Sequence, residues 1–395
     1  MGKESPLLAA LSRRVGGEDV SFRTRLLEIA QGLTDVISLG RGDPDFHTPH
    51  HIVEAAKAAI DDNQHHYTDP VGLPQLREAI SENLLQDYNL DYDGEEIVVT
   101  DGVQEAIMLC ALALVDEGDE VLLPSPRFTS YDLAIRLCGG KPVPVQTHES
   151  NDFALMATEI EMQITDRTKI LVLVTPNNPT GAVTPPSEIR RLADLALQHD
   201  LTVISDEIYA KLIYEGSEHL SIGSLPGMRE RTITVNGFSK AYAMTGWRVG
   251  YLAAPQPFIR RVIEPRHALS ISTSTPSQYA ALAALTGPQD EVEKMRQAYA
   301  ERRMYVMEAL NHMGLTYGLP GGAFYIYANI SSTNLPDARF CETLLREGRV
   351  MVFPGTMFGD ENENYIRISY LQPIDRIKEA LQRMERVIDK HRVTA

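Results

Sequence analysis

Short, uniformly apolar runs recur through the middle of the chain: Ile97-Val98-Val99, Val121-Leu122-Leu123, Pro142-Val143-Pro144-Val145, Ile170-Leu171-Val172-Leu173-Val174, Thr202-Val203-Ile204, Thr232-Ile233-Thr234-Val235 and Val249-Gly250-Tyr251-Leu252. A strand with one wet face alternates apolar and polar residues, whereas a strand covered on both faces reads as a continuous apolar run. Helical stretches, such as 189–197, separate several of these runs. The pattern predicts an α/β protein whose large domain holds a seven-stranded, mostly parallel sheet flanked by helices.

Upstream, Val36-Ile37-Ser38-Leu39 reads as a short strand ending in the glycine- and proline-punctuated turn Gly40-Arg41-Gly42-Asp43-Pro44-Asp45-Phe46. A helix is expected from about 49, a break at 67–72, and a second helix with Leu76, Ala79, Ile80 and Leu84 on its apolar face. Beyond Gly287-Pro288 the pattern predicts a charged helix over 291–313, strands at Tyr325-Ile326-Tyr327 and Val350-Met351-Val352, and a helix burying Ile374, Ile377, Leu381, Met384 and Ile388. These segments are expected to form a smaller α+β domain from the N- and C-terminal parts of the chain. The expected division is 1–45 joining the small domain, 46–287 as the large domain, and 288–395 as the rest of the small one.

Composition narrows the function. At 395 residues, 43% of them hydrophobic, the chain is long enough for two domains. A net charge of -17 argues against nucleic-acid binding, which needs a basic face to displace counterions from phosphates. Cys110, Cys138 and Cys341 are widely spaced and have no His-rich neighbourhood, so neither a disulfide framework nor a metal site is expected. A reducing cytoplasm fits that usage. The apolar run at 6–11 is too brief for a signal sequence and reads as a helix start or an arm. No run approaches the ~20 residues of a membrane span.

In a parallel sheet, ligands sit beyond the carboxyl ends of the strands, so chemistry is sought just after the runs. There the chain reads Asn236-Gly237-Phe238-Ser239-Lys240-Ala241, with Arg248 eight residues past the lysine. A lysine amine attacks carbonyls only when neutral, and burial or a nearby cation such as Arg248 favours that form. Asp101-Gly102-Val103-Gln104 opens a helix after the first run, a place suited to phosphate. Its glycine spacing fits neither dinucleotide nor nucleoside-triphosphate loops. Pro176-Asn177-Asn178-Pro179-Thr180-Gly181 has the composition of a turn, and Asp206 in Ser205-Asp206-Glu207-Ile208-Tyr209 sits where a helix cap would also sit.

Taken together, these residues resemble the pyridoxal-phosphate-dependent aminotransferases of fold type I, class I, in the branch of bacterial aspartate and aromatic aminotransferases. The resemblance runs from about residue 36 to the C-terminus. It is carried by 237–250, which fits the attachment-site pattern, and by Asn178-Pro179-Thr180-Gly181, Ser205-Asp206-Glu207-Ile208-Tyr209 and Tyr365-Ile366-Arg367-Ile368-Ser369, in the family's order. It implies that Lys240 holds pyridoxal 5'-phosphate as a Schiff base and carries the proton, that Asp206 pairs with the pyridine nitrogen, and that Tyr209 and Asn178 bond the ring's phenolic oxygen. It further implies that Phe128 stacks on the ring. The phosphate would be held by Gly102, Val103 and Gln104, by Arg248, and by Tyr67 reaching in from a second subunit, so a homodimer with shared sites is implied. Arg367 would fork onto the substrate α-carboxylate, with Asn178 and the Gly42 backbone assisting. The implied reaction moves an amino group from an L-amino acid to a 2-oxo acid such as 2-oxoglutarate in two half-reactions.

Three positions depart from the pattern. Gly237 stands where many relatives have a serine, Arg127 where a tyrosine usually precedes the stacking aromatic, and Gln104 where aspartate-specific members carry a lysine for the distal carboxylate. A buried carboxylate without a cation is poorly tolerated. Arg127, Arg41 or Arg23 could supply one, and the donor range is read as aspartate, aromatic or broad. The same scaffold also serves β-elimination and non-catalytic, cofactor-binding regulators, and these stand as the alternatives. The loops 321–324 and 354–359 are read either as borders of the side-chain pocket or as ordinary turns.

Overall fold

In the computed structural model, which describes residues 22–391 continuously together with Leu7, Ala10, Leu11, Ser12 and Arg14, each of the seven apolar runs is a strand of one sheet. The expected helix start or arm at 6–11 lies largely outside the described residues. In chain order the strands are β1 (Ile37–Ser38), β2 (Ile97–Thr100), β3 (Glu120–Ser125), β4 (Lys141–Gln146), β5 (Thr168–Val174), β6 (Thr202–Asp206), β7 (Thr232–Gly237), β8 (Gly250–Ala253), β9 (Thr316–Tyr317), β10 (Tyr325–Asn329), β11 (Val350–Met351), β12 (Phe353–Pro354) and β13 (Tyr365–Ser369).

The large sheet has the order β2-β8-β7-β6-β5-β3-β4. Pairing is parallel from β7 through β6, β5 and β3 to β4, while β8 runs antiparallel to both of its neighbours. Two antiparallel steps restore direction, so β2 points the same way as the other five and six strands share one C-terminal edge. Side chains alternate in facing, as the pleat requires. Val121, Leu123, Ile170, Val172 and Ile204 pack with Ala106, Ile107, Leu109 and Tyr131 on one side. Leu122, Leu171, Leu173 and Val203 pack with Ile189, Leu192 and Ala196 on the other. The two-sided cover is why the runs are continuous. At the edge, β4 tolerates Pro142 and Pro144 because an outermost strand has N–H positions that need no partner.

The helix Pro186–Gln198 shows how the covering elements form. Proline at its first turn gives up an N–H that would be unpaired anyway, and Ile189, Leu192, Ala193 and Ala196 recur at helical spacing as its buried face. Replacing Leu192 by Ala would cost about 2 to 5 kcal/mol. The predicted face Leu76, Ala79, Ile80 and Leu84 of Pro74–Tyr88 is buried, and in Ile374–His391 so are Ile377, Leu381, Met384 and Ile388, whereas Ile374, at the helix's first position, is only partly buried.

A second, antiparallel sheet has the order β12-β13-β10-β9, and β1 pairs in parallel with β11. Its core joins Leu26, Ile37 and Leu39 from the N-terminal side to Tyr299, Phe324, Ile366, Ile368 and Leu381 from the C-terminal side. The apolar run Val350-Met351-Val352 predicts one strand. Instead β11 ends at Met351, and the chain crosses to join β13 as β12, leaving Val352 in neither. All three residues are buried, and an apolar pattern reports burial rather than sheet membership.

Candidate active site

The shared C-terminal edge of the six co-directional strands gathers the chemistry. Asp206 ends β6, in register with Val174 and Val235 of its neighbours. The loop carrying Asn178 follows β5, the turn Asp101-Gly102 follows β2, Phe128 follows β3, and Lys240 follows β7.

Lys240 Nζ donates to the Gly42 carbonyl at 2.7 Å and lies 5.8 Å from the centre of the Phe324 ring. Burial pushes this amine down to about 8. Asp43 opposes the shift, while Arg367 and then Arg248 assist it. Burial is thus the main cause, and the larger cationic contribution comes from Arg367 rather than from Arg248, the cation suggested by sequence proximity.

Asp206 is buried and accepts from Tyr131 Oη at 2.8 Å and from the Ile208 backbone at 3.2 Å. Burial pushes its carboxyl up to about 6, and the Tyr131 hydrogen bond holds it from going higher. Tyr131 escaped the sequence reading. Its available signal was position, three residues past Phe128 at the start of the helix Ser130–Leu137, where i and i+3 share a face. Tyr209 Oη lies 3.1 Å from Tyr325 Oη, and both phenols are buried. In the sequence Tyr325 shows only the apolar pattern of a strand.

At the start of the helix Val103–Leu114, Gly102 has φ 78° and no side-chain cap, which leaves that end to the backbone amides. Arg248, itself left-handed at φ 56°, donates to the Asp101 carbonyl at 3.1 Å and the Thr245 carbonyl at 3.0 Å. Gly102 has φ 78° and ψ 170°, a backbone conformation that side chains rarely adopt, and a Cβ there would also displace Arg248 Nη2, 2.4 Å away, so this cradle needs glycine. Close approach also explains Gly237. A Cβ there would meet Gly250 Cα at 2.8 Å, and a Cβ on Gly250 would meet the Val103 nitrogen at 2.8 Å. Bare backbone at both positions lets β7, β8 and the helix start stack closely, where a serine at Gly237 would push them apart.

Arg367 donates to Asn178 Oδ1 at 2.7 Å and to the Gly40 carbonyl at 2.5 Å. Its guanidinium lies 4.5, 4.7 and 5.5 Å from the ring centres of Tyr325, Phe358 and Phe353. Phe324 and Phe358 come from the two loops whose sequence left pocket border and plain turn undecided, and each lies against a site cation.

The structure therefore brings together Lys240 with Gly42, Asn178 with Arg367, and Gly102 with Arg248. Val103 and Gln104 open the helix beside them, Gln104 exposed. Phe128 is 37% exposed at the end of β3. Tyr67 is 78% exposed and has no hydrogen-bond partner among the described residues. Arg127 is not a spare cation. It grips both oxygens of Asp132 at 2.8 and 2.7 Å and reaches Glu361 at 2.5 Å. Arg41 is exposed and has no hydrogen-bond or ion-pair partner among the described residues, and the Arg23 side chain lies outside them.

The family model for aminotransferase class I and II matches residues 34–384. Over 98% of its length the chain is 45% identical to the aspartate aminotransferase of Pyrococcus abyssi, all of which is covered. It is 43% identical, over 97% of its length, to the whole of aromatic-amino-acid aminotransferase 2 of Thermococcus litoralis. A solved structure of an aromatic aminotransferase from Pyrococcus horikoshii OT3 superposes with a TM-score of 0.89 at 45% identity, covering 92% of this chain and 99% of that one.

Proposed function

The chain belongs to the class I and II aminotransferases, and on that footing we propose that it takes dicarboxylic and aromatic L-amino acids as donors and 2-oxoglutarate as acceptor. It is an enzyme that moves an amino group between amino acids and 2-oxo acids, and it depends on pyridoxal 5'-phosphate. When bound, the cofactor supplies a sink for the electrons left behind as the substrate's α C–H bond breaks.

The residues present fit that group. A buried carboxylate without a cation in contact, a buried amine pushed towards neutrality, and an uncapped helix start that tolerates no Cβ match a ring nitrogen, an aldehyde and a phosphate, respectively. Asp206 would hold the ring nitrogen protonated, and Tyr209 and Asn178 would donate to its phenolic oxygen, with Phe128 stacked on one face. The backbone of Gly102, Val103 and Gln104 would take the phosphate with Arg248 and the partner subunit's Tyr67. Lys240 would hold the cofactor covalently and, once released, take and return the proton at the substrate α-carbon. Arg367 would fork onto the α-carboxylate, with Asn178 and Gly42 beside it, which selects amino acids over amines.

The observation that carries this reading is the loop at 40–42. Arg367 binds its first carbonyl and Lys240 its last, so the carboxylate fork and the amine stand on either side of one short turn. The exposed Tyr67 supports a homodimer with shared sites, the pairing of β1 with β11 supports a division near 45 and 287, and the three free cysteines fit a reducing cytoplasm.

The test is optical. Protein incubated with the cofactor should absorb in the visible, lose that band on addition of aspartate or phenylalanine, and regain it with 2-oxoglutarate. Lys240→Ala should bind the cofactor noncovalently and lose turnover. A colourless protein after incubation would overturn the reading.

A further inference from the structure

We propose that Arg266, buried behind the helix start that would take the cofactor phosphate, is a positioning residue: it neutralises Glu105, so that this acid can brace the Asp101-Gly102 turn without repelling the phosphate. The inference rests on the phosphate placement proposed above and concerns two residues that the placement does not use.

Two carboxylates stand where an anion is to bind. Asp101 precedes Gly102, and Glu105 sits in the first turn of the helix Val103–Leu114. Glu105 holds the turn in place: its Oε2 accepts from the Asp101 amide at 2.6 Å, and its Oε1 accepts from Ser270 Oγ at 2.5 Å. Asp101, fixed in this way, presents its carbonyl to Arg248 Nη2 at 3.1 Å. The brace therefore reaches the cation proposed for the phosphate. Its drawback is charge, because an acid at the positive end of a helix draws on the same dipole and amides that a phosphate needs.

Arg266 answers that charge. Its side chain is fully buried, and Nη2 donates to the Val99 carbonyl at 3.1 Å and to Thr273 Oγ1 at 2.8 Å, with Glu105 Oε2 3.9 Å away. Nε and Nη1 are buried with no hydrogen-bond partner among the described residues. A guanidinium so incompletely bonded is costly to bury, and an opposite charge beside it is what makes the burial tolerable. Among the described residues Glu105 is the one carboxylate within ion-pair distance, its side chain only 9% exposed. Burial pushes the guanidinium down, and Glu105 and then Asp101 hold it up. Packing alone does not account for an arginine here, since an apolar side chain of similar volume would fill the space without the desolvation.

The test separates the phosphate from the ring. Full-length apoprotein is titrated by fluorescence with pyridoxal 5'-phosphate and with pyridoxal, which lacks the phosphate, for the parent, Arg266→Met, Glu105→Gln and the double variant. Arg266→Met should weaken pyridoxal 5'-phosphate by about 5- to 30-fold, the range for a charge at a partly buried helix start, and change pyridoxal by less than about twofold. Glu105→Gln, whose amide oxygen can still accept from Asp101, should tighten pyridoxal 5'-phosphate by about twofold or more, and the double variant should return to within about twofold of the parent. Equal weakening of both ligands by Arg266→Met, no weakening of either, or a double variant as weak as Arg266→Met overturns the role of Arg266. Should Arg266→Met fail to fold, Glu105→Gln decides: selective tightening of pyridoxal 5'-phosphate supports the role, and unchanged or weaker binding overturns it. A parent that binds pyridoxal 5'-phosphate no more tightly than pyridoxal overturns the phosphate placement itself.

Discussion

Tyr131 Oη donates to Asp206 Oδ2 at 2.8 Å, a contact between residues 75 apart in sequence that holds the charge of a buried carboxylate. Removing the donor with Tyr131→Phe takes away a contact favouring the ionised acid, so the carboxyl rises further above about 6. Cofactor affinity of the apoprotein at pH 7 should fall by about 10- to 100-fold, the range for one hydrogen bond to a charged group, and the loss should shrink as pH is raised. Fluorescence titration of apoprotein between pH 6 and 8.5 measures this, and unchanged affinity counts against the assignment. Asp206→Asn tests the same carboxylate through stability. The acid's value is raised on folding, so ionisation disfavours the apoprotein as pH climbs from about 4 to 6, and the penalty is complete above 6. The Asn apoprotein should gain about 1 to 3 kcal/mol over the parent at pH 8 and nothing near pH 4, as read by denaturant unfolding.

Tyr67 is expected to act across a dimer. Tyr67→Ala and Lys240→Ala homodimers should each be severely impaired, yet subunit exchange should form hybrids in which one site keeps both groups. Regained activity after mixing, with exchange shown independently by mass, supports the shared site. No recovery despite exchange rejects it.

Arg127→Met should act on stability rather than on donor choice. Asp132 is buried against this guanidinium, with the more exposed Glu361 on its other side, and breaking a buried pair by removing the cation costs about 3 to 5 kcal/mol. Denaturant unfolding should show a loss of that order. The ratio of kcat/KM for aspartate to that for phenylalanine should stay within about threefold of the parent. A collapse of that ratio would return Arg127 to the pocket.

The sequence by itself determined the large sheet and set the candidate groups just past the ends of its strands. Seven runs gave seven strands because burial on both faces leaves a local mark, and the stretch around Lys240 was legible because its glycines and small residues answer to close backbone packing. Residue type at a fixed spacing is local information, and the chain states it directly. Only the tertiary structure decided which groups are already spent. Arg127 and Arg41 look alike as cations near a pocket, yet Glu361, 234 residues away, helps saturate the first, while the carbonyls flanking the second are taken by Arg367 and Lys240, 327 and 198 residues off. The crossing of 350–354 between two sheets was equally hidden. In each case the answer depends on partners brought together by packing of the whole chain, and a buried charge or a strand edge takes whichever partner the fold sets beside it.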